Sequence, residues 1–114
     1  MPSSEDYLHW TQDQLSQAEG VSWKKMMGEY LLYCHGKLIG GLYDNRLLVK
    51  PAPGVLAMIP DAPMEAPYPG AKPMVLVEDM ENREFLAALC AVLYAEVPEG
   101  KKKRKQGGIN DAEQ

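Results

Sequence analysis

Proline is concentrated in one part of this 114-residue chain, and that concentration limits where regular structure can form. Seven of the nine prolines lie between Pro51 and Pro73, here called the proline-rich segment. Because proline lacks an amide hydrogen and has a fixed φ, this segment is not expected to contribute a central strand or a long helix. Only one short helix fits inside it, over residues 55–59 and ended by Pro60. Regular structure is therefore expected mainly before and after it.

The residues ahead of the proline-rich segment predict antiparallel strands. From Val21 onward the spacing of apolar residues is that of extended chain. Tight turns are expected at His35–Gly36 and Asp44–Asn45, because Gly, Asp and Asn readily adopt a left-handed φ. The expected arrangement is an antiparallel meander of three consecutive strands over residues 29–34, 37–43 and 46–50, preceded by an extended stretch that runs from Val21 to Gly28.

Helices are expected at the two ends of the folded region. The first covers residues 4–18 and can be capped by one of the two serines at its start. The second begins at a cap formed by Asp79 or Asn82 and runs to about Glu96. A short apolar strand over residues 74–77 precedes it.

These elements together predict one domain of the α+β class. The expected architecture is a two-layer sandwich, in which helices from both ends of the domain flank an antiparallel sheet. That sheet contains a meander of about three strands plus further strands. We place the domain at residues 1–98 and expect residues 99–114 to form a disordered basic tail, because almost no apolar residue follows position 97.

The net charge of −4 conceals an acidic body and a basic end. Residues 1–100 carry fourteen acidic and seven basic side chains, and five consecutive basic residues follow: Lys101, Lys102, Lys103, Arg104 and Lys105. Such a run is a candidate contact for nucleic acid or another anionic surface. Because the acidic body would repel a polyanion, a solubilising role for the run is favoured over nucleic-acid binding. No apolar run is long enough to cross a membrane, and no membrane contact is expected.

Side chains that carry chemistry are few. Two cysteines and two histidines, without CxxC or HxxxH spacing, predict neither a metal site nor a thiol nucleophile. The chain contains no P-loop, no GxGxxG and no GxSxG motif, so no cofactor and no enzymatic activity are predicted. Two cysteines are also too few to stabilise a secreted fold, which indicates a cytoplasmic protein.

Two strands carry unusual residues. The strand over residues 29–34 has large apolar side chains at both alternating positions, so it is either covered on both faces or part of a dimer interface. Gly40 and Gly41 lie inside the next strand. A bulge or the close approach of a neighbouring backbone is the favoured explanation, ahead of ligand binding.

Glu29 is the carboxylate most open to a functional interpretation, because it precedes an apolar strand. Such a carboxylate needs a partner, which Lys24, Lys25 or Arg46 could supply. A structural ion pair or an exposed strand end is favoured over a ligand-binding or catalytic acid. The alternative function is a small-molecule-binding protein or minor enzyme with a site near Glu29 and the Tyr68 loop. Its candidate ligand or ion-pair positions are Lys24, Glu29, Tyr68 and Lys72.

The run KMMGEYLLYCHGKLIGGLYDNRLLVKP, residues 25–51, resembles the amino-terminal domain of the TfoX/Sxy family of bacterial competence regulators. The family pattern begins with a basic-Met-aromatic/Met-Gly-Glu segment that leads into a Tyr-rich strand. A Gly-Lys turn, a second strand, an Asp-Asn/Asp turn and a strand ending in lysine then follow. The loop over residues 67–72 and the closing helix also look like the short, stand-alone members. The resemblance covers about residues 4–98.

This resemblance implies a two-layer fold of the secretion-chaperone kind, in domains that often self-associate. The apolar strand at residues 29–34 and the glycine pair fit that expectation. Full-length members act with the transcription machinery to switch on DNA-uptake genes, and they carry a second, helical domain where this chain has its basic tail. The resemblance implies no catalytic residues. We therefore expect a non-enzymatic regulatory or protein-interaction domain, homodimeric, with transcription regulation as its context and protein partners rather than nucleic acid.

Overall fold

The computed structural model describes residues 3–98, which form three helices and six strands. The predicted basic tail, with its run at residues 101–105, lies outside the described residues. In chain order the elements are α1 (Glu5–Gln14), β1 (Val21–Met26), β2 (Glu29–Cys34), β3 (Lys37–Leu42), β4 (Leu47–Val49), α2 (Pro53–Met58), β5 (Met64–Glu65), β6 (Met74–Leu76) and α3 (Arg83–Glu96).

All six strands belong to one antiparallel sheet with the order β1-β2-β3-β4-β6-β5. β2, β3 and β4 form the predicted meander, with left-handed residues at both predicted turns, His35–Gly36 and Asp44–Asn45. β1 extends it by a fourth strand. β5 is an additional strand of two residues inside the proline-rich segment. It lies at the edge of the sheet, which is where a chain interrupted by prolines can still pair.

The helix caps follow the sequence closely. The Ser4 hydroxyl accepts a hydrogen bond from the Tyr7 amide at the start of α1, and the Asn82 side chain accepts one from the Phe85 amide at the start of α3. α1 ends at Gln14, four residues before the predicted end at residue 18. The residues that follow form turns, and their apolar side chains still face the core. Apolar residues therefore continue at helical spacing in the sequence although the helix itself has ended.

The helices pack on one face of the sheet, which confirms the two-layer α+β class. Alternate residues of β2, namely Tyr30, Leu32 and Cys34, enter the same core as Leu86 and Leu93 of α3. Leu47 and Val49 of β4 and the buried Val75 of β6 continue this layer. None of the helices among residues 3–98 has the length and apolar content that crossing a lipid bilayer requires.

The glycine pair of β3 is explained within the subunit. The register between β2 and β3 shifts at Leu32/Tyr33, which is the expected bulge. A Cβ at Gly40 would collide with the Leu48 carbonyl oxygen, and one at Gly41 would lie 2.7 Å from the Tyr30 carbonyl oxygen. Both glycines therefore allow the close approach of backbone that was predicted in preference to ligand binding.

Candidate functional site

The second face of the sheet, here called the outer face, carries no helix among the described residues. Side chains alternate along a strand, so the half-buried Leu31 and Tyr33 of β2 lie opposite the core. Leu38 pairs with Tyr33 and shares this face. The sequence left two alternatives for β2, cover on both faces or a place in a dimer interface; within the described residues one face of the strand is buried and the other is half-exposed.

Part of the outer face and the proline-rich segment together form a cleft of about 560 Å³. Its size lies within the range of small-molecule sites. The lining is mostly apolar, with the two tyrosines, the two lysines and three of the prolines as its most distinctive members. The residues that line it are Leu38, Gly40, Tyr43, Lys50, Pro51, Pro67, Tyr68, Ala71, Lys72, Pro73 and Met74.

Arg46 fixes one wall of this cleft. Its Nε donates to the carbonyl oxygen of Tyr43 at 3.0 Å, and its Nη1 donates to the Glu65 carboxylate at 2.6 Å. Glu65 is in β5, immediately before the loop that carries Tyr68. The arginine thus connects the β3–β4 turn to the beginning of the loop that closes the cleft.

The cleft combines cationic groups with a low-polarity lining. Burial lowers the pKa of Lys50, because the charged ammonium group loses solvation. Burial also raises the pKa of Tyr43, with further contributions from Tyr68, Glu29 and Tyr33. Among residues 3–98, no carboxylate lies within 4.0 Å of the ammonium group of Lys50 or Lys72. Neither ammonium group is therefore held in a salt bridge by the described part of the chain.

Glu29 lines a separate depression of about 370 Å³, with Tyr68 at the boundary between the two sites. Its Oε1 accepts a hydrogen bond from the Ser3 hydroxyl at 3.2 Å and from the Asp44 amide at 3.3 Å. Arg46, one of its three suggested partners, pairs instead with Glu65. These contacts connect the start of β2 to the β3–β4 turn and to the start of the chain.

Of the four candidate positions from the sequence, Tyr68 and Lys72 lie together in the larger cleft. Glu29 meets Tyr68 only in the neighbouring depression, and Lys24 lines neither cavity. The sequence reasoning missed Lys50. Its position in the sequence could have indicated it, because Lys50 directly follows the apolar Leu47–Val49 run and precedes a proline. Side chains alternate along a strand, so Lys50 is on the same face as Leu48, which is the outer face.

The β1–β2 hairpin presents a second unusual surface, here called the hairpin tip and composed of Lys24, Lys25, Met26 and Met27. All four side chains are exposed, Met26 at 48% and Met27 at 96%. Met27 has a φ of +53° and is followed by Gly28 with a φ of +87°. A two-residue turn with positive φ at both positions favours Asn-Gly, and methionine is unfavourable there.

The two cysteines lie on the helix side of the sheet, and both are buried. The Cys34 thiol donates to the Glu19 carbonyl oxygen at 3.4 Å. Burial raises the pKa of Cys34 and raises that of Cys90 to about 12. Both thiols are therefore protonated at neutral pH, and their surroundings are those of core residues. No group of three or more metal-ligating side chains of the His, Cys, Asp or Glu type occurs within residues 3–98.

Comparison with known proteins gives one relative and one family. The chain is 30% identical over 112 residues to a protein of Spirochaeta aurantia named "Uncharacterized 12.7 kDa protein in trpE 5'region", and the match covers 94% of this chain and 97% of that protein. No solved structure matches the chain. The TfoX N-terminal domain matches residues 13–100, a range that includes every strand of the sheet together with α2 and α3. The chain therefore belongs to the TfoX N-terminal domain family.

Proposed function

We propose that this protein is a non-enzymatic regulatory domain that acts through protein contacts in the cytoplasm and associates with a second copy of itself through the hairpin tip. Membership of the TfoX N-terminal domain family supports a regulatory role, and the resemblance to competence regulators supports transcription regulation as its context. The single observation that carries the proposal is Met27, a methionine that is 96% exposed at a left-handed turn position.

Nothing within the described subunit favours methionine at this position. A left-handed φ costs a residue with a Cβ roughly 1–2 kcal/mol, and Asn or Asp would tolerate it better. The exposed side chain also gains no burial from the fold. Exposed methionines are adaptable contact residues at protein-binding surfaces. A residue that is unfavourable for the isolated fold and fully presented to solvent is thus well suited to contact a partner.

Charge supports a second copy as that partner. Lys24 and Lys25 make the hairpin tip basic, whereas residues 1–100 as a whole carry twice as many acidic as basic side chains. The tip of one subunit therefore meets an attractive potential over much of the surface of another. Met26 and Met27 supply apolar area that association would bury.

Sedimentation velocity of the full chain tests this proposal. We expect the wild type to sediment as a dimer at about 50 µM, a concentration that saturates a dissociation constant of a few micromolar. Met27→Asn should weaken association at least about tenfold and should also raise the stability of the monomer, because Asn-Gly suits the turn. Reduced association in a more stable protein cannot result from misfolding.

The matched control is Met64→Asn, which removes another exposed methionine (47% exposed) from β5 at the opposite edge of the sheet. It should leave association unchanged. A monomeric wild type at 50 µM, or an equal loss of association in the two variants, overturns the proposal.

A further inference from the structure

We propose that the cleft between the Tyr68 loop and the outer face is a binding site for a small organic anion that has a flat aromatic body and a carboxylate or phosphate-monoester head. This inference concerns a different surface from the hairpin tip and does not depend on the proposed self-association. It rests on the shape of the cleft, on its aromatic and proline lining, and on its two lysines, which have no salt bridge within residues 3–98.

The shape favours a small molecule that enters a largely preformed site. The volume of about 560 Å³ accommodates a fused bicyclic ring with a head group. Pro51, Pro67 and Pro73 contribute three conformationally restricted parts of the lining. The Arg46 bridge between Tyr43 and Glu65 fixes the loop against the turn, so less conformational freedom is lost when a ligand binds.

The lining favours an aromatic body. Tyr43, directly after β3, and Tyr68, in the loop, both contribute to the lining. Flat rings of a ligand pack against tyrosine in stacked or edge-to-face geometry, and they also pack against the rings of proline. Leu38 and Met74 add aliphatic surface. An aliphatic chain would also gain from burial here, but it would not use the aromatic pairing.

The charges favour an anion. Lys50 is half-buried and Lys72 exposed, and within residues 3–98 neither ammonium group has a carboxylate in salt-bridge range. Desolvation of an unpaired cation is unfavourable, and an anion in the cleft would offset that cost through charge-assisted hydrogen bonds. Acidic residues outnumber basic ones two to one in residues 1–100, yet within residues 3–98 none of them lies in salt-bridge range of these two lysines.

Amide-resolved NMR titration of the full chain tests the site. The probes are 2-naphthoate, 2-naphthyl phosphate, the neutral isostere 2-naphthamide and inorganic phosphate. We expect one or both naphthyl anions to shift resonances around Leu38, Lys50 and Met74, with a dissociation constant below about 1 mM. The two anions distinguish a carboxylate site from a phosphate-monoester site. Naphthamide and inorganic phosphate should each bind at least about tenfold more weakly, because naphthamide lacks the negative charge and inorganic phosphate lacks the aromatic body.

The Lys50→Met variant should lose at least about tenfold in affinity for the naphthyl anion. It should keep or increase its resistance to urea, because a desolvated charge is replaced by an apolar chain of similar length. Arg83→Met, which removes a cation from α3 on the other face of the sheet, is the control and should bind like the wild type. The inference is overturned if neither anion binds below 1 mM, if naphthamide or phosphate binds equally well, or if the Lys50 and Arg83 variants behave alike.

Discussion

Gly40 shows how a single missing Cβ determines the shape of this sheet. A Cβ at Gly40, which pairs with Val49, would meet the Leu48 carbonyl oxygen and the Val49 backbone of β4. Any larger residue would have to separate two paired strands, because the obstacle is main chain and not a flexible side chain. The sequence could predict that Gly40 and Gly41 mark a bulge or a close contact, but it could not predict which neighbour made the contact.

We expect Gly40→Ala to lower the free energy of unfolding by about 2–4 kcal/mol, since the collision with main chain cannot be relieved by a rotamer change. Urea denaturation monitored by tryptophan fluorescence measures the loss. Gly70→Ala is the control: its φ is +88°, but among the described residues no atom beyond its chain neighbours lies within 4 Å of the added Cβ, so only about 1 kcal/mol of backbone strain is expected. Equal losses in the two variants would contradict the backbone-contact explanation.

Thr11 is a second residue with a measurable individual effect. It is fully buried in α1, and its Oγ1 has no hydrogen-bond partner among the described residues. A buried polar atom without a partner lowers stability. Thr11→Val keeps the shape and removes the hydroxyl, so the free energy of unfolding should rise by about 1 kcal/mol. Thr11→Ser, which keeps the hydroxyl and loses the methyl group, should be less stable than the wild type. A destabilised valine variant would show that the hydroxyl has a partner in solution.

At the scale of elements, sequence patterns were informative wherever turns and caps are local. The meander follows from left-handed residues at the predicted turns, and α3 follows from the Asn82 cap. The end of α1 and the two-residue β5 were not predictable in this way. Tertiary packing continues the apolar spacing past Gln14, and β5 exists only because β6 offers it a pairing edge.

The candidate site was predictable to a similar extent. Tyr68 and Lys72 belong to one loop, and the sequence placed both near a site. Lys50 is 22 positions away from Lys72 along the chain. Lys50 lines the same cleft as Tyr68 and Lys72 because the proline-rich segment folds back over the outer face. This contact joins distant parts of the chain, so the local spacing of residues could not predict it.

α2 depends on a neighbouring helix for its N-terminal hydrogen bond. Its cap residue, Ala52, has no side chain that can accept one, and the Glu96 carboxylate of α3 accepts from the Gly54 amide at 2.6 Å. A carboxylate at a helix start also interacts favourably with the helix dipole. We expect Glu96→Ala to lower stability by about 0.5–1 kcal/mol and to speed amide hydrogen exchange selectively in α2.

The control for this prediction is Glu81→Ala, which removes an exposed carboxylate just before α3. Exchange in α2 should then match the wild type. If the Glu96 variant exchanges no faster in α2 than the Glu81 variant, the helix is held by its apolar contacts alone.

For the whole molecule, thiol and tyrosine hydroxyl groups with raised pKa values should lower the stability of the fold at alkaline pH. The pKa of Cys90 rises from 9.0 to about 12, and burial also raises the pKa values of Tyr7, Cys34 and Tyr43. A group whose pKa is raised in the folded state contributes its full stabilisation below its unfolded pKa and loses it as pH rises toward the folded value. Stability should therefore fall as pH increases from about 9 to 12. Lys50, with its lowered pKa, acts in the opposite direction.

Urea denaturation at pH 7, 9 and 10.5 measures this decline. Cys90→Ala should be less stable at pH 7, because it leaves a cavity, yet its stability should depend less steeply on alkaline pH than that of the wild type. Parallel pH profiles for the two proteins would show that the Cys90 thiol does not contribute.

The two edges of the sheet are unequal, and this limits how far it can be extended. β1 is a six-residue edge strand, whereas β5 has two residues between Pro63 and Pro67 and offers almost no backbone for pairing. A second copy added strand-to-strand at β1 would leave only the short β5 edge at each end of the combined sheet. Growth of the sheet by pairing of edge strands should therefore stop after one addition. The prolines that flank β5 thus limit fibre formation by this route, although the proline-rich segment itself contributes only two residues to the sheet.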